Sequence, residues 1–342
     1  MNAEPGSGIW NIPANVTAIG SGAFAYCFGM ETLHLNAGIK IIGDEEVDVF
    51  SMYGAFEQCR GLRAITAPAG CKLAVIGERA FRYCCALTTV PSFEHVMLIC
   101  RYAFAHCWLL EAVHLSPKLR NIPQGTFSHC HGLRDVTFGD ATNFIGYNAF
   151  FHCKSLKWVA LEHTNVGTIG NKAFEGCRAL AGVTFPVTAE TCLRYRAFAN
   201  CSSLEHVRLS ALTRSVGFQA FWQCRSLKKI VLNRFSTSTG MQSLADWSIG
   251  DAGAYQNVKI VAPKATLQTL GVPTSANGSA DLLQYYWSLK LHRKGCLKTA
   301  RPCILQAILG VNRVSNQFEI SPLPPELYCL IFSFLEVYAF AV

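Results

Sequence analysis

Apolar positions recur along this chain with a period close to 23 residues. The most regular part of each unit is Phe-x-x-Cys, followed by Leu, Val and an apolar residue three, six and eight positions after the cysteine. In one unit these positions are Leu156, Val159 and Leu161. Apolar and polar residues alternate at the end of this tail, and a period of two predicts a short β-strand.

The Phe-x-x-Cys pair occurs nine times, and successive phenylalanines lie 32, 25, 23, 23, 23, 24, 24 and 23 residues apart. The pairs are Phe24 and Cys27, Phe56 and Cys59, Phe81 and Cys84, Phe104 and Cys107, Phe127 and Cys130, Phe150 and Cys153, Phe174 and Cys177, Phe198 and Cys201, and Phe221 and Cys224. A unit this small cannot bury its own apolar face, whereas stacked units build one continuous core. The repeat therefore predicts a solenoid in which a phenylalanine column packs beside a column of thiols.

The stretch before each phenylalanine has a pattern of its own. Ile-Gly usually comes first, as at Ile145 and Gly146, and a small residue such as Ala149 directly precedes the phenylalanine. We expect the glycine to permit a bend and the alanine to allow close approach of neighbouring backbones. Each unit is thus predicted to contain a strand, a turn and a compact helical turn, with the strands aligned in a parallel ladder.

The consensus Ile-Gly-x-x-Ala-Phe-x-x-Cys-x-x-Leu-x-x-Val-x-Leu resembles the BspA-type leucine-rich repeat over about residues 9–232. The resemblance implies an α/β fold, namely a curved leucine-rich repeat solenoid with a parallel strand ladder and short helical turns. It also implies a recognition surface without catalytic residues of its own. Bacterial members of this family are often adhesins, so an adhesin-like cell-surface protein is one functional alternative.

The repeat decays after Leu232, and strand-like alternation returns at Val258 and Ile260. We interpret residues 233–270 as a degenerate unit that caps a solenoid spanning residues 1–270. Residues 271–280 are rich in Gly, Ser and Pro and are predicted to form a linker. Residues 281–342 are predicted to be a small helical C-terminal segment, with helices at residues 281–295, 302–310 and 323–335.

The last of these helices is similar to the opening of an F-box, the motif that docks substrate receptors to ubiquitin ligases. The matching residues are Leu323, Pro324, Leu327, Ile331 and Leu335. The chain ends 19 residues after Leu323 (342 − 323), and the later helices of an F-box have no counterpart. A ligase adaptor is therefore a second alternative, while an apolar helix packed on the end of the solenoid explains the same residues.

Composition and charge narrow the functional classes. Hydrophobic residues make up 51% of the chain and charged residues 15%, below the ~25% of an average domain, so material for a core is ample. The start shows no basic segment followed by an apolar run, and no window contains ~20 apolar residues. We expect a cytoplasmic protein with free thiols, and a nuclear location stays open.

The net charge of the chain is +8, and six of its basic residues lie within residues 290–313. This cluster is interpreted either as the solvated face of a helix or as a nucleic-acid-binding site.

Histidine precedes the repeat cysteine in three successive units, at His106, His129 and His152. We expect these rings to stack about 5 Å apart, at the spacing of neighbouring strands. Zinc prefers four converging ligands, which a linear ladder does not supply. No thiol differs in context from its equivalents, and the phosphate-loop and hydrolase motifs are missing from the sequence. We therefore predict no metal, no cofactor and no enzymatic activity.

Alternation along the strands also predicts a binding face, because residues such as Trp158 point away from the core. Exposed Trp and Arg are favoured interface anchors. We expect a protein partner, rather than nucleic acid or a membrane, to bind a monomeric chain on this face. The candidate contacts are Trp158, His114, Asp135, His206, Arg208 and Lys229. The insertion between Lys40 and Ala55, with acids at Asp44, Glu45, Glu46 and Asp48, is a further candidate contact or a plain surface loop.

Overall fold

The computed structural model describes residues 2–3, 8–44, 53–210, 212–232, 258–263 and 282–287 of the chain. These residues form β-strands and turns, and none of them belongs to an α-helix or, consequently, to a helix able to cross a bilayer. Two classes of strand alternate along the repeats, one of three to six residues and one of two residues. Each class builds its own ladder.

The long-strand ladder consists of parallel strands that carry the predicted apolar tail of each unit. Its members are β2 (Ile9–Asn11), β4 (Thr32–His34), β6 (Ala64–Thr66), β9 (Ala112–His114), β11 (Asp135–Thr137), β13 (Trp158–Ala160), β15 (Gly182–Thr184), β17 (His206–Leu209), β19 (Lys229–Leu232) and β20 (Val258–Pro263). They pair as β2-β4-β6, β9-β11 and β13-β15-β17-β19-β20. The predicted parallel strand ladder of a leucine-rich repeat solenoid is confirmed.

The short-strand ladder runs along a second side and contains the predicted Ile-Gly positions. Its members are β3 (Ala18–Ile19), β5 (Ile41–Ile42), β7 (Val75–Ile76), β8 (Leu98–Ile99), β10 (Asn121–Ile122), β12 (Phe144–Ile145), β14 (Thr168–Ile169), β16 (Cys192–Leu193) and β18 (Ser215–Val216). Glycine after these strands allows tight stacking of units. A Cβ built on Gly170 would lie 2.7 Å from the carbonyl carbon of Gly146, the equivalent residue of the preceding unit.

A third set of backbone hydrogen bonds, the turn ladder, joins the Ala-Phe-x-x-Cys segments of successive units. The N–H of Phe150 donates to the carbonyl of Ala173 at 2.7 Å, and the N–H of His152 donates to the carbonyl of Glu175 at 2.8 Å. The intervening N–H groups bond to carbonyls three residues back, as Cys153 does to Phe150. The predicted helical turns are thus hydrogen-bonded turns that do not continue into an α-helix.

The core is a column of stacked phenylalanines beside a column of cysteines, as predicted. The ring centroids of Phe127 and Phe150 lie 5.3 Å apart, and those of Phe150 and Phe174 lie 5.0 Å apart. The Sγ of Cys153 donates to the carbonyl of Phe127 at 3.1 Å, so each thiol also links its unit to the preceding one. The same bond is made by Cys59, Cys84, Cys107, Cys130, Cys177, Cys201 and Cys224.

The long-strand ladder is interrupted at the unit that contains Cys84. Pro91 stands there in the position that Thr66 occupies in the preceding unit, and proline has no N–H to donate to a neighbouring strand. An isolated parallel bridge between Ala64 and Thr89 takes the place of a paired strand. The local sequence therefore weakens sheet pairing at this unit while its apolar residues stay in the core.

An antiparallel strand lies at each end of the described long-strand ladder. At the start, β1 (Asn2–Ala3) pairs with β2, and after the last repeat β21 (Leu282–Trp287) pairs with β20. The strand predicted at Val258 and Ile260 is confirmed. The helix predicted for residues 281–295 is wrong over Leu282–Trp287, because this aromatic-rich segment has high β-propensity and finds its hydrogen-bond partners on the open edge of β20.

Candidate partner-binding surfaces

Trp158 lies on the outer face of the long-strand ladder and is 51% exposed. Its partner in the pairing of β13 with β15 is Gly182. The indole lies over this glycine, because a Cβ built there would overlap the six-membered ring of Trp158. Because Gly182 has no side chain, the indole ring of Trp158 can pack directly on the backbone of the sheet. The backbone therefore supports an exposed aromatic surface.

Three of the other predicted contacts continue the same face towards the C-terminal units. His206 pairs with Gly182 on one side and with Lys229 on the other, while Arg208 pairs with Thr184. His206 and Arg208 are exposed and Lys229 is half-buried. The predicted contacts around Trp158 therefore lie on neighbouring strands of one face.

The remaining two predicted contacts lie on the N-terminal side of Trp158. Asp135 in β11 and His114 in β9 are both exposed. The Nδ1 of His114 lies 3.1 Å from the Oγ1 of Thr137 on the next strand, so this imidazole is fixed against its neighbour. The face consequently changes from polar and mildly acidic at these strands to basic beyond Trp158.

The predicted histidine ladder is present on the turn side of the solenoid. The ring centroids of His106 and His129 lie 4.4 Å apart, and those of His129 and His152 lie 5.5 Å apart. Tyr83 extends the stack by a ring 4.4 Å from His106. His131 packs edge-on against His129 at 5.9 Å. We call His106, His129 and His152 the histidine stack.

Burial and nearby positive charge keep the histidine stack neutral at physiological pH. Burial, with smaller contributions from His129 and Arg82, lowers the pKa of His106 to about 4. Burial, His129 and the Lys154 ammonium lower the pKa of His152 to about 4. The pKa of His129 is lowered as well, through burial and Lys154. Stacked neutral imidazoles form an uncharged, polarizable strip.

Glu57, Glu78 and Glu175 are buried, and each brings a carboxylate close to an arginine. Glu57 accepts from the guanidinium of Arg82 at 3.4 Å, and Glu175 lies 3.7 Å from the guanidinium of Arg196. The Arg196 guanidinium also lies 4.3 Å from the centre of the Trp222 ring, a cation–π geometry. Burial raises the pKa of the Glu175 carboxyl while Arg196 opposes that rise. These contacts engage Arg82 and Arg196 and fix their side chains on the turn side.

The repeat thiols are buried and poorly suited to nucleophilic chemistry. Burial raises the pKa of the Cys59 thiol to about 12 and raises that of Cys130 further. Burial also raises the pKa of Cys153 well above its ordinary value. Thiolate is the reactive form, so raised pKa values favour an inert packing role for these residues. Among the described residues, no three His, Cys, Asp or Glu side chains form a group that could hold a metal ion.

Sequence reasoning missed a group of cations at the corner between the turn side and the long-strand face. Arg134, Lys154, Lys157 and Arg178 come from three successive units, and all four are exposed. The N–H of Lys157 donates to the carbonyl of Arg134 at 3.2 Å, which places the two side chains on neighbouring rungs. We call these four residues the basic corner. Their signal in the sequence is basic residues one and four positions after the repeat cysteine in adjacent units.

Several predicted contacts fall outside the described residues. They are Glu45, Glu46 and Asp48 of the insertion, the basic residues between 290 and 313, and the F-box-like positions Leu323, Pro324, Leu327, Ile331 and Leu335. Asp44 at the edge of the insertion is exposed, and its backbone N–H donates to the Oγ of Ser21 at 3.1 Å. The interpretations of the insertion and of the C-terminal segment therefore stay predictions.

Comparison with known proteins agrees with the geometry of the repeats. The model of the BspA type leucine rich repeat region matches six copies, over residues 9–53, 52–157 and 143–266. A T. pallidum leucine-rich repeat protein of known structure is 30% identical over 48% of this chain and 77% of its own, with a TM-score of 0.43. A leucine rich cell surface protein from Faecalibacterium prausnitzii is 18% identical over 78% of this chain and 91% of its own, with a TM-score of 0.36. No curated protein matches the chain.

The family match spans the whole repeat region, including the strands, turns and cysteines whose hydrogen bonds build the three ladders. The chain belongs to the BspA-type leucine-rich repeat family.

Proposed function

We propose that this protein is a non-catalytic scaffold that binds a protein partner through the outer face of its long-strand ladder. The observation that carries the proposal is the placement of Trp158, which is half exposed and rests on the backbone of Gly182. A rigidly supported aromatic ring provides contact area at little entropic cost. Members of leucine-rich repeat families are typically protein-interaction scaffolds, which supports the same function.

Charge and register define the extent of the proposed contact. His206, Arg208 and Lys229 lie on the strands that follow Gly182, and Asp135 and His114 lie on strands before Trp158. Polar and charged residues around an aromatic centre resemble the rim of a protein–protein interface. The partner is therefore expected to cover Trp158 and to place its polar groups on the flanking strands.

The test is affinity capture with the full chain and two matched variants. In the first, Trp158, His206, Arg208 and Lys229 are all changed to Ser. In the control, residues of the same kinds are changed to Ser at exposed positions near the short-strand ladder, namely Phe144, His95, Arg120 and Arg194. We expect partners retained by the wild type to be lost from the first variant and kept by the control. Retention of every partner by the first variant would show that this face is not the binding surface.

The adaptor, adhesin and localisation alternatives remain predictions. A deletion of residues 321–342 separates the adaptor role from the scaffold role, because an adaptor loses ligase components while a scaffold keeps its partners. A cytoplasmic location is proposed from the sequence alone, and imaging of the full chain with tags at either end tests it. Surface labelling of intact cells would support the adhesin-like role instead.

A further inference from the structure

We propose that the basic corner binds an acidic peptide segment in extended conformation, with acidic residues at alternate positions. This inference rests on the proposed scaffold function and specifies the chemistry of its partner. The corner consists of Arg134, Lys154, Lys157 and Arg178. It borders the Trp158 face on one side and the histidine stack on the other.

The first argument is that these cations lack counter-charges on the protein. Some exposed cations elsewhere on the solenoid pair with acids, as Lys228 does with Glu205 at 3.0 Å. Within the described part of the chain, no ion pair involves any of the four basic-corner residues. Their attraction for an anion is therefore not already satisfied by a neighbouring carboxylate.

The second argument is that the backbone holds like charges on neighbouring rungs. Hydrogen bonds from the N–H of Lys157 to the carbonyl of Arg134 and from the N–H of Ala179 to the carbonyl of Lys154 align adjacent units at the corner. Burial chiefly lowers the pKa values of His129 and His131, and the nearby Lys154 ammonium lowers them further. Adjacent like charges destabilise a sheet-like arrangement. An anion bound across the rungs would relieve that repulsion.

The length of the corner determines which anion fits. Four positions after the repeat cysteine, Arg134 and Lys157 occupy two successive units. One position after it, Lys154 and Arg178 occupy the second of these units and the next one, so the corner covers three rungs. Two rung spacings of about 4.8 Å give a length of about 10 Å. Alternate side chains of an extended peptide on one face lie about 6.6 Å apart, so two carboxylates fit this length. Arg134 and Arg178 can each bind a carboxylate with two parallel hydrogen bonds.

The same geometry disfavours a nucleic acid. A single strand needs a positive groove that follows the backbone over several nucleotides and a series of aromatic stacking platforms. Here the cations extend over three rungs, about 10 Å, which is short for a groove that follows several nucleotides.

The test measures binding of a fluorescein-labelled peptide of eight residues that alternates Glu and Thr, by fluorescence anisotropy with the full chain. A peptide with Gln in place of Glu and a labelled decathymidylate serve as comparison probes. The double variant Lys154→Gln with Lys157→Gln removes half of the corner. The control Lys72→Gln with Lys118→Gln makes the same change in net charge at two exposed lysines elsewhere.

We expect the Glu peptide to bind, the Gln peptide not to bind, and the corner variant to bind about tenfold more weakly, since each exposed ion pair contributes modestly. The control is expected to bind as the wild type does, and binding should fall at ~1 M salt, where the Debye length is about 3 Å. Equal binding of the Gln peptide, an equal loss in the control, or tighter binding of decathymidylate than of the Glu peptide overturns the proposal.

Failure of this inference can be distinguished from failure of the scaffold function. If partner capture depends on the Trp158 face while the Glu peptide does not bind, the scaffold function stands and the acidic specificity is wrong. If capture survives the change of the Trp158 face while the Glu peptide binds the corner, the peptide site stands and the proposed binding face is wrong.

Discussion

At the residue scale, two positions of each unit adopt a backbone conformation that the sequence does not indicate. The residue before the repeat cysteine has positive φ in all nine units, as in His129 at 62° and Gln223 at 59°. The residue five positions before the cysteine has positive φ in eight of nine, as in Lys172 at 56°. Glycine is the usual signal of this conformation, but most of these positions hold other residues. The turn ladder explains the conformation, because the N–H groups of most of these residues donate to carbonyls of the next unit.

The left-handed conformation predicts an unusual order of stability at Lys172. Its N–H donates to the carbonyl of Tyr195 at 2.8 Å, and this bond survives any substitution except proline. We expect Lys172→Gly to be neutral or up to about 1 kcal/mol more stable, because glycine adopts positive φ freely. A β-branched residue fits this conformation poorly, so Lys172→Val is expected to cost about 1–2 kcal/mol. Urea unfolding of both variants measures the difference.

Asn121 provides the control for this prediction, because it is exposed and lies in strand β10. There the order should reverse, with Asn121→Val tolerated and Asn121→Gly destabilising, since glycine weakens a strand. If valine were preferred to glycine at both positions, the left-handed turn would not govern stability at Lys172.

At the element scale, the sequence predicted the repeats far better than the segment after them. The long strands and the phenylalanine column follow from apolar periodicity repeated nine times, so errors in any single unit have little weight. Leu282–Trp287 has no such repetition, and its composition fits an amphipathic helix as well as a strand. The segment forms a strand because the open edge of β20 supplies its hydrogen-bond partners. The local sequence pattern of Leu282–Trp287 contains no information about that edge.

The histidine stack illustrates how an element acquires a property that no single residue has. Neighbouring units place His106, His129 and His152 face to face, and the stack borders Arg82, Lys154, Arg178 and His131. Protonating one ring therefore brings a positive charge next to other cations and to neighbouring rings. The sequence predicted the stacking distance, but the depressed pKa values depend on burial and on the side chains of adjacent units.

This arrangement predicts that mild acid destabilises the solenoid. The pKa of His106 and His152 is about 4 in the folded chain and ~6.5 in the unfolded chain, so the unfolded chain binds more protons between these values. The stabilising effect is fully present above pH ~6.5 and is lost progressively as the pH falls towards about 4. The melting temperature measured across this interval should therefore fall with pH.

A triple variant separates the histidine stack from the acidic residues that also titrate in this range. His106, His129 and His152 are each changed to Gln, a residue that already occupies the same left-handed position at Gln58 and Gln223. Between pH ~6.5 and ~4, we expect the melting temperature of the variant to fall less than that of the wild type. Parallel curves for the two proteins would show that the stack does not control the acid response.

At the scale of the whole molecule, the described repeats are held together by contacts between neighbouring units rather than by long-range closure. The turn ladder and the cysteine hydrogen bonds join one unit to the next, and so do the long-strand and short-strand ladders wherever their strands pair. The repeat period predicted this organisation, because a chain of nine similar units has no other way to bury its apolar faces. Which face binds a partner is a different matter, since it depends on residues that vary between units, such as Trp158 and Gly182.

A linear array predicts that stability depends on position within it. Opening a central unit breaks two interfaces with complete repeats, whereas opening the first unit breaks one such interface and the pairing of its strand β4 with β2. The N–H groups of Phe24 and Phe150 make equivalent hydrogen bonds, of 2.8 Å to Ala55 and 2.7 Å to Ala173. Phe24 is half-buried, however, while Phe150 is fully buried between two other rings. Hydrogen bonding alone would therefore protect the two amide groups equally from hydrogen exchange. The better stacking of Phe150 should make its unit the more strongly protected of the two.

Hydrogen–deuterium exchange of equivalent peptides, residues 20–28 and residues 146–154, measures this difference. We expect the central peptide to exchange at least about tenfold more slowly than the first. The variant Phe150→Ala removes a ring from the middle of the stack, which costs about 3–5 kcal/mol. Its exchange should accelerate most in the units of Phe127 and Phe174 and less with each unit further away, because coupling passes from neighbour to neighbour. Uniform acceleration across the repeats would instead show that the solenoid unfolds as a single cooperative body, in which no unit opens independently of the rest.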